Sequence, residues 1–182
     1  MDERILRKRR KRQSNNAKKI KRIFTYVILI AIILILITLI VDKYFFSVIK
    51  IEGNSMQRTF YEGDKILVKK FNIDAEDIKQ DDIIYFQGED NRFYVKRVIG
   101  LPGDIVEVIN NKIFINGKQK IEDYTRGDET QVYDQDKWFV GENEFFVLGD
   151  NRYRDLSKDS RLFGTININQ IKGVFVMNFS ER

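Results

Sequence analysis

Two side chains in this sequence have the types needed for hydrolytic chemistry in a chain that contains no histidine. Ser55 lies in the stretch Gly53-Asn54-Ser55-Met56, and Lys96 in Tyr94-Val95-Lys96-Arg97. Serine is a weak nucleophile at its own pKa and needs a nearby base, and with imidazole absent a neutral lysine is the available substitute. Ser55 sits among small, turn-forming residues just after a predicted strand, where its hydroxyl and its backbone N–H can both face a substrate; by itself the same stretch also reads as a plain turn. Lys96 interrupts an apolar run. Period-two alternation groups Tyr94, Lys96 and Val98 on one face and Val95, Arg97 and Ile99 on the other. Both faces carry apolar residues, so at least one of the two cations is drawn into a partly buried setting, and burial lowers a lysine pKa toward the range of a general base. The competing arrangement is a lysine whose ammonium snorkels to solvent along an edge strand. Pro102, the only proline, fixes the turn that ends this strand.

A second cluster lies further on. Gly149-Asp150-Asn151-Arg152 and Ser157-Lys158-Asp159-Ser160-Arg161 gather acids, guanidinium groups and hydroxyls within 13 residues. They form either a solvated loop or a brace in which Asp150 and Asp159 pair with Arg97 and Arg161, while Ser157 accepts a hydrogen bond from Lys96 and aims its lone pair. With neither cysteine nor histidine, disulfides, thiolate nucleophiles and the usual zinc and haem sites are excluded. The acidic clusters Asp81-Asp82, Glu89-Asp90 and Asp134-Gln135-Asp136 lack the spacing and glycine of a calcium loop and read as solvated turns. No metal and no cofactor is expected.

These residues need a scaffold. From residue 44 onward, short runs of Val, Ile, Phe and Tyr are bounded by Gly, Asn and Asp every 8 to 12 residues or so, which predicts a compact, mainly β domain over 43–182. Strands are expected at 47–51, 65–70, 83–86, 93–99, 105–109, 112–115, 144–148 and 172–179. Asn110-Asn111 and Asn116-Gly117 are two-residue turns suited to tight hairpins. Residues 118–142 are more polar, hold the only tryptophan, Trp138, and read as a small inserted lobe.

Ahead of this domain, residues 23–41 run 19 residues without a charge, proline or glycine. As a helix they would span roughly 28 Å, the thickness of a bilayer core. Their many β-branched side chains favour a strand in water, but in lipid the helix satisfies every backbone group. The charged region before it is too long, and the apolar stretch too extended, for a cleavable leader; an uncleaved anchor is expected. Residues 1–22 carry 11 of the 32 Lys and Arg and two of the 27 acids, a net charge of +9, which leaves the rest of the chain at −4. Positive charge before the span places the N-terminus in the cytoplasm and the domain outside. An RNA-binding arm is the alternative use of such a tail. No nucleic-acid partner is expected.

Taken together, Ser55-Met56 with Thr59, the run KRVIGLPGD at 96–104, and GDNR with S-x-D-S-R at 149–161 resemble the motifs of type I signal peptidases, the membrane-bound Ser-Lys leader peptidases. The likeness covers essentially the whole chain, in order, with the anchor at its N-terminus. It implies that Ser55 is the acylated nucleophile and Lys96 the general base. It further implies that Ser157 orients Lys96 and that the Ser55 main-chain N–H contributes to the oxyanion hole. Met56 and Tyr94 would help wall a pocket for small substrate side chains, and Arg97, Asp150, Asp159 and Arg161 would form a bracing ionic network. The implied activity is removal of signal peptides from exported preproteins at the outer face of the cytoplasmic membrane, without a cofactor; the partners are signal-peptide-bearing preproteins and the phospholipid membrane. A non-cleaving chaperone or assembly factor on the same scaffold is the alternative, and a self-cleaving repressor-type peptidase is disfavoured by the membrane span. Three departures from the pattern stand out. Arg58 replaces a proline, four residues (Tyr153, Arg154, Asp155 and Leu156) separate the last two motifs where two are common, and Gly53 lacks a hydroxyl that some members carry.

Overall fold

The computed structural model describes the backbone of residues 3–127 and 129–180, and within these the side chains from residue 18 onward apart from residue 42. The first two residues of the basic tail expected at 1–22, and its side chains up to residue 17, lie outside that set. The chain divides into two units, Met1–Lys43 and Tyr44–Arg182. The described residues of the first lie in one helix, α1 (Glu3–Tyr44). Its stretch Lys18–Val41 is long and apolar enough to cross a membrane. That stretch exceeds the expected 23–41 on the N-terminal side. Its large apolar side chains are exposed all round the helix. The hydroxyls within it turn inward: Thr25 Oγ1 donates to the Lys21 carbonyl at 2.9 Å and Thr38 Oγ1 to the Leu34 carbonyl at 2.6 Å.

The second unit is built from strands β1 (Phe46–Lys50), β2 (Lys65–Lys69), β3 (Ile83–Gln87), β4 (Phe93–Gly100), β5 (Ile105–Ile109), β6 (Lys112–Ile115), β7 (Lys118–Gln119), β8 (Lys137–Phe139), β9 (Glu144–Leu148), β10 (Ile166–Asn167) and β11 (Ile171–Asn178). A single turn of helix, α2 (Ser160–Phe163), precedes β10. Seven strands form an antiparallel sheet in the order β1-β2-β11-β3-β4-β9-β10. A second sheet has the order β7-β6-β5-β8. All eight strands expected from alternation are present within a residue or so, and both asparagine turns are hairpins with positive φ: Asn110 and Asn111 at 49° and 61°, Asn116 and Gly117 at 51° and 77°.

The excursion at 118–142 is less separate than its polarity predicts. Its two strands, β7 and β8, extend the β5–β6 hairpin, so the second sheet begins at residue 105. Trp138 turns inward and packs on Phe146 with ring centroids 4.7 Å apart. This second sheet covers a face of β4 and β9 that would otherwise be open. Val98, Phe145 and Val147 enter one apolar cluster with Ile84 and Phe86. Their neighbours Ile99, Phe146 and Leu148 enter another with Val106 and Trp138. Strands covered on both faces bury nearly every residue, which explains the unbroken burial of β4 from Lys96 to Gly100. A third cluster, including Ile51, Met56, Phe60, Ile66 and Val68, fills the curl of the large sheet beside β1 and β2. β11 departs from regular register against both its neighbours, and Gly173 lets it approach Val68 more closely than a side chain would permit. The curl brings residues just after β1 to the start of β4, although three strands lie between them in the sheet order.

Candidate active site

A cleft of about 520 Å³ opens where those two segments meet, lined by Ile49, Ser55, Met56, Tyr94, Lys96 and Leu156 among others. Ser55 lies in the turn that follows β1, which Gly53 enters at φ 75° and which continues through a cis peptide bond between Gln57 and Arg58. Lys96 is delivered by β4, and its side chain is buried. The ammonium nitrogen lies 2.7 Å from Ser55 Oγ and donates to its neighbour's carbonyl, Val95 O, at 3.0 Å. Burial pushes the Lys96 pKa down from 10.5 to about 8, although the carboxylates of Asp159 and Asp150 pull the other way. Protonated, the group donates to Ser55. Neutral, it keeps an N–H on Val95 and turns its lone pair on the hydroxyl at the same distance.

Arg97, on the opposite face of β4, is buried as well, so the strand carries two buried cations where alternation required only one. Its guanidinium grips Asp150 in a two-pronged pair, with Nε 2.8 Å from Oδ1 and an Nη 2.6 Å from Oδ2. Thr59 joins them, its hydroxyl donating to Asp150 and accepting from Arg97 at 3.1 Å. The second acid behaves alike. Asp159 receives Arg161 Nε at 2.9 Å and an Nη at 2.8 Å, while its Oδ2 also accepts from Gly149 N at 3.0 Å. Burial disfavours the charge on Asp159, yet Arg161 and these hydrogen bonds hold its carboxyl below the usual range. Among the described residues, then, Asp150 meets Arg97 and Asp159 meets Arg161.

Ser157 departs from the expected arrangement. Rather than bonding Lys96, its hydroxyl donates to Asp159 Oδ2 at 2.6 Å. The ionised carboxylate two residues along the same loop draws the hydroxyl proton, while Lys96 donates to Ser55 and Val95 instead. The four residues before it make an exposed turn, with Asp155 at φ 66°, and so leave the Asp159–Gly149 contact intact while adding Leu156 to the cleft wall. Met56 is buried and Tyr94 half-buried, and both line the cleft. The Tyr94 ring lies 5.6 Å from Lys96 Nζ, and its hydroxyl donates to Asp90 at 2.7 Å, which in turn pairs with Lys158. Arg58 is exposed and donates to the Thr125 carbonyl at 2.9 Å.

Several positioning groups had no role in the sequence reading. Asn151 N donates to the Ser55 carbonyl at 2.9 Å, and its side-chain amide reaches the Asn54 carbonyl at 3.1 Å. Gly149 is required by close approach, since a Cβ there would overlap both Ser157 Oγ and the Ser55 carbonyl oxygen. Arg152 is wholly buried and pairs with Glu122 through two contacts of 2.6 Å. The motif GDNR marked these positions; their partners, tens of residues away, left no local signal. The Ser55 N–H donates to no described acceptor.

Comparison with known proteins identifies the family. The family described as "Signal peptidase, peptidase S26" matches residues 20–180. Signal peptidase I P of Bacillus subtilis subsp. natto is 34% identical over 144 residues, which cover 74% of this chain and 77% of that one. Signal peptidase I of Bacillus caldolyticus is 40% identical over 142 residues, 71% of this chain and 77% of that one. A solved signal peptidase I from Enterococcus faecalis V583, 35% identical, superposes with a TM-score of 0.46 over 54% of this chain and 97% of that one.

Proposed function

The chain belongs to the signal peptidase family, peptidase S26, a family of serine peptidases, and we propose that it removes signal peptides from exported preproteins with a Ser55–Lys96 dyad while anchored in the cytoplasmic membrane by α1. The observation that carries the dyad is the 2.7 Å contact between a buried lysine and a cleft-facing serine in a chain without histidine. In this reading neutral Lys96 takes the Ser55 hydroxyl proton as Oγ attacks the scissile carbonyl carbon. The oxyanion forms against the unpaired Ser55 N–H. The C–N bond then breaks, and the Lys96 ammonium returns its proton to the departing amine. Water, deprotonated by neutral Lys96, attacks the acyl-enzyme carbonyl, and the Lys96 ammonium returns the proton to Ser55 Oγ as the ester bond breaks.

The arrangement around the dyad supports roles for the remaining residues. Arg97, Asp150, Asp159 and Arg161 brace the loops that carry it, and Ser157 steadies Asp159, whose carboxylate acts on Lys96. An extended substrate pairs with the free edge of β1 and places small side chains against Met56 and Tyr94. Residues 23–41 span the bilayer with the basic tail of 1–22 inside and the domain of 43–182 outside, as the excess of Lys and Arg before the span favours. Confinement to one membrane plane raises the effective concentration of signal peptide at the cleft.

The test is cleavage of a preprotein by the full chain in detergent. Ser55→Ala and Lys96→Ala should each lower kcat on the order of 10⁴-fold or more. Activity retained by either variant refutes the dyad, and binding without cleavage by the unaltered chain would identify a chaperone instead.

A further inference from the structure

The segment 120–126, in the excursion between β7 and β8, makes more contacts with the catalytic framework than a solvated loop requires. Lys120 Nζ lies 2.8 Å from Asp81 Oδ2. Glu122 takes both prongs of the buried Arg152. The Arg97 guanidinium carbon lies over the Tyr124 ring, 3.9 Å from its centre, while Tyr124 Oη is 2.8 Å from Asp81 Oδ1 and 2.7 Å from Glu122 Oε1. One phenolic proton thus faces two carboxylates, and burial together with Glu122 keeps the phenol firmly protonated. At the end of the segment Arg126 N donates to the Asp150 carbonyl at 2.7 Å, and Arg152 N returns a bond to the Arg126 carbonyl at 3.0 Å.

These contacts converge on one short path to the nucleophile. Arg97 holds the Asp150 carboxylate, the Asp150 carbonyl is held by Arg126, and the next residue, Asn151, donates to the Ser55 carbonyl. We propose that segment 120–126 is a strap that fixes the 150–152 turn against Ser55, with Tyr124 and Glu122 as positioning residues acting through Arg97 and Arg152. This rests on the Ser55–Lys96 reading of the site. Tyr124 works mainly by its ring. The ring caps a guanidinium whose described hydrogen bonds all leave from its N–H edge, so its removal leaves Arg97 free to tilt and lets water reach the Asp150 pair. Shifts of about 1 Å at a reacting group cost on the order of 100-fold in rate.

The experiment compares kcat and KM for a preprotein in detergent among the full-length wild type, Ser55→Ala, Tyr124→Phe and Tyr124→Ala. Rates are normalised to the folded fraction reported by fluorescence of Trp138, the chain's only tryptophan. Tyr124→Ala should lower kcat on the order of 100-fold with KM within about twofold, and Tyr124→Phe, which keeps the ring, should stay within about threefold of wild type. Should Tyr124→Ala lose its folded signal, Tyr124→Leu refills the volume without a ring and carries the same expectation as the alanine variant. Wild-type kcat in the ringless variant, a loss confined to KM, or equal losses in Phe and Ala would each overturn the strap while an inactive Ser55→Ala left the dyad standing. An active Ser55→Ala would overturn both.

Discussion

In the proposed Ser55–Lys96 dyad the Lys96 ammonium must lose its proton before it can accept one from Ser55, and its burial sets the pH at which that happens. With a pKa lowered to about 8, the neutral fraction is about 9% at pH 7, half at pH 8 and about 90% at pH 9. Because activity follows the neutral amine, kcat/KM should rise about tenfold from pH 7 to pH 9 and then level off. A lysine at its free value of about 10.4 would instead give roughly a hundredfold rise over the same interval, with no plateau before pH 10. The magnitude reflects a contest within the site: burial lowers the pKa, and the carboxylates of Asp159 and Asp150, tempered by Arg161, oppose it. The assay is a profile of kcat/KM against pH from 6.5 to 10, with a preprotein and the full chain in detergent. A rate still climbing with unit slope at pH 9.5 would refute the buried base, whatever the distance between Nζ and Ser55 Oγ.

The same burial predicts a stability cost. In the unfolded chain Lys96 holds its proton up to the ordinary lysine value of 10.5, whereas the folded chain releases it near 8. Between these values the unfolded state binds more protons, so stability rises with pH across the window, and below about pH 8 the full penalty, about 3 kcal/mol, is present. Lys96→Met removes that penalty along with two hydrogen bonds worth about 1 kcal/mol each. The variant should therefore be inactive yet about 1 kcal/mol more stable than wild type at pH 7, with the order reversed by pH 10.5, as denaturant melts at the two pH values would show. Gly149→Ala drives a methyl into Ser157 Oγ and the Ser55 carbonyl. It should lower stability by about 2 kcal/mol and kcat on the order of 100-fold, and wild-type kinetics would mean that Ser55 is not held from this side.

What the sequence revealed, and what it hid, follows from the length scale of each interaction. Alternation identified eight strands because each runs at least four residues, while β7, β8 and β10, at two or three, are too short to show a period. Trp138 was legible as an odd residue but not as core, since its neighbours from Asp134 to Lys137 are polar and only pairing with β5 turns its ring inward. Ser55, Lys96 and the Asp–Arg clusters stood out because the proposed chemistry needs particular residue types within short motifs. The arrangement that tunes them was not: Tyr124 meets Arg97 from 27 residues away, and nothing in Glu122-Asp123-Tyr124 distinguishes it locally from a solvated turn. Ser157 shows the opposite limit, where a contact two residues along the chain, with Asp159, prevails over a distant partner the motif implied. Alternation on β4 demanded one buried cation and the fold supplies two, because the second sheet closes the face that a single sheet would leave open. That closure accounts for both halves of the site at once: it forces Arg97 to find Asp150, and it gives the 120–126 segment, which belongs to the covering layer, its position over the pair.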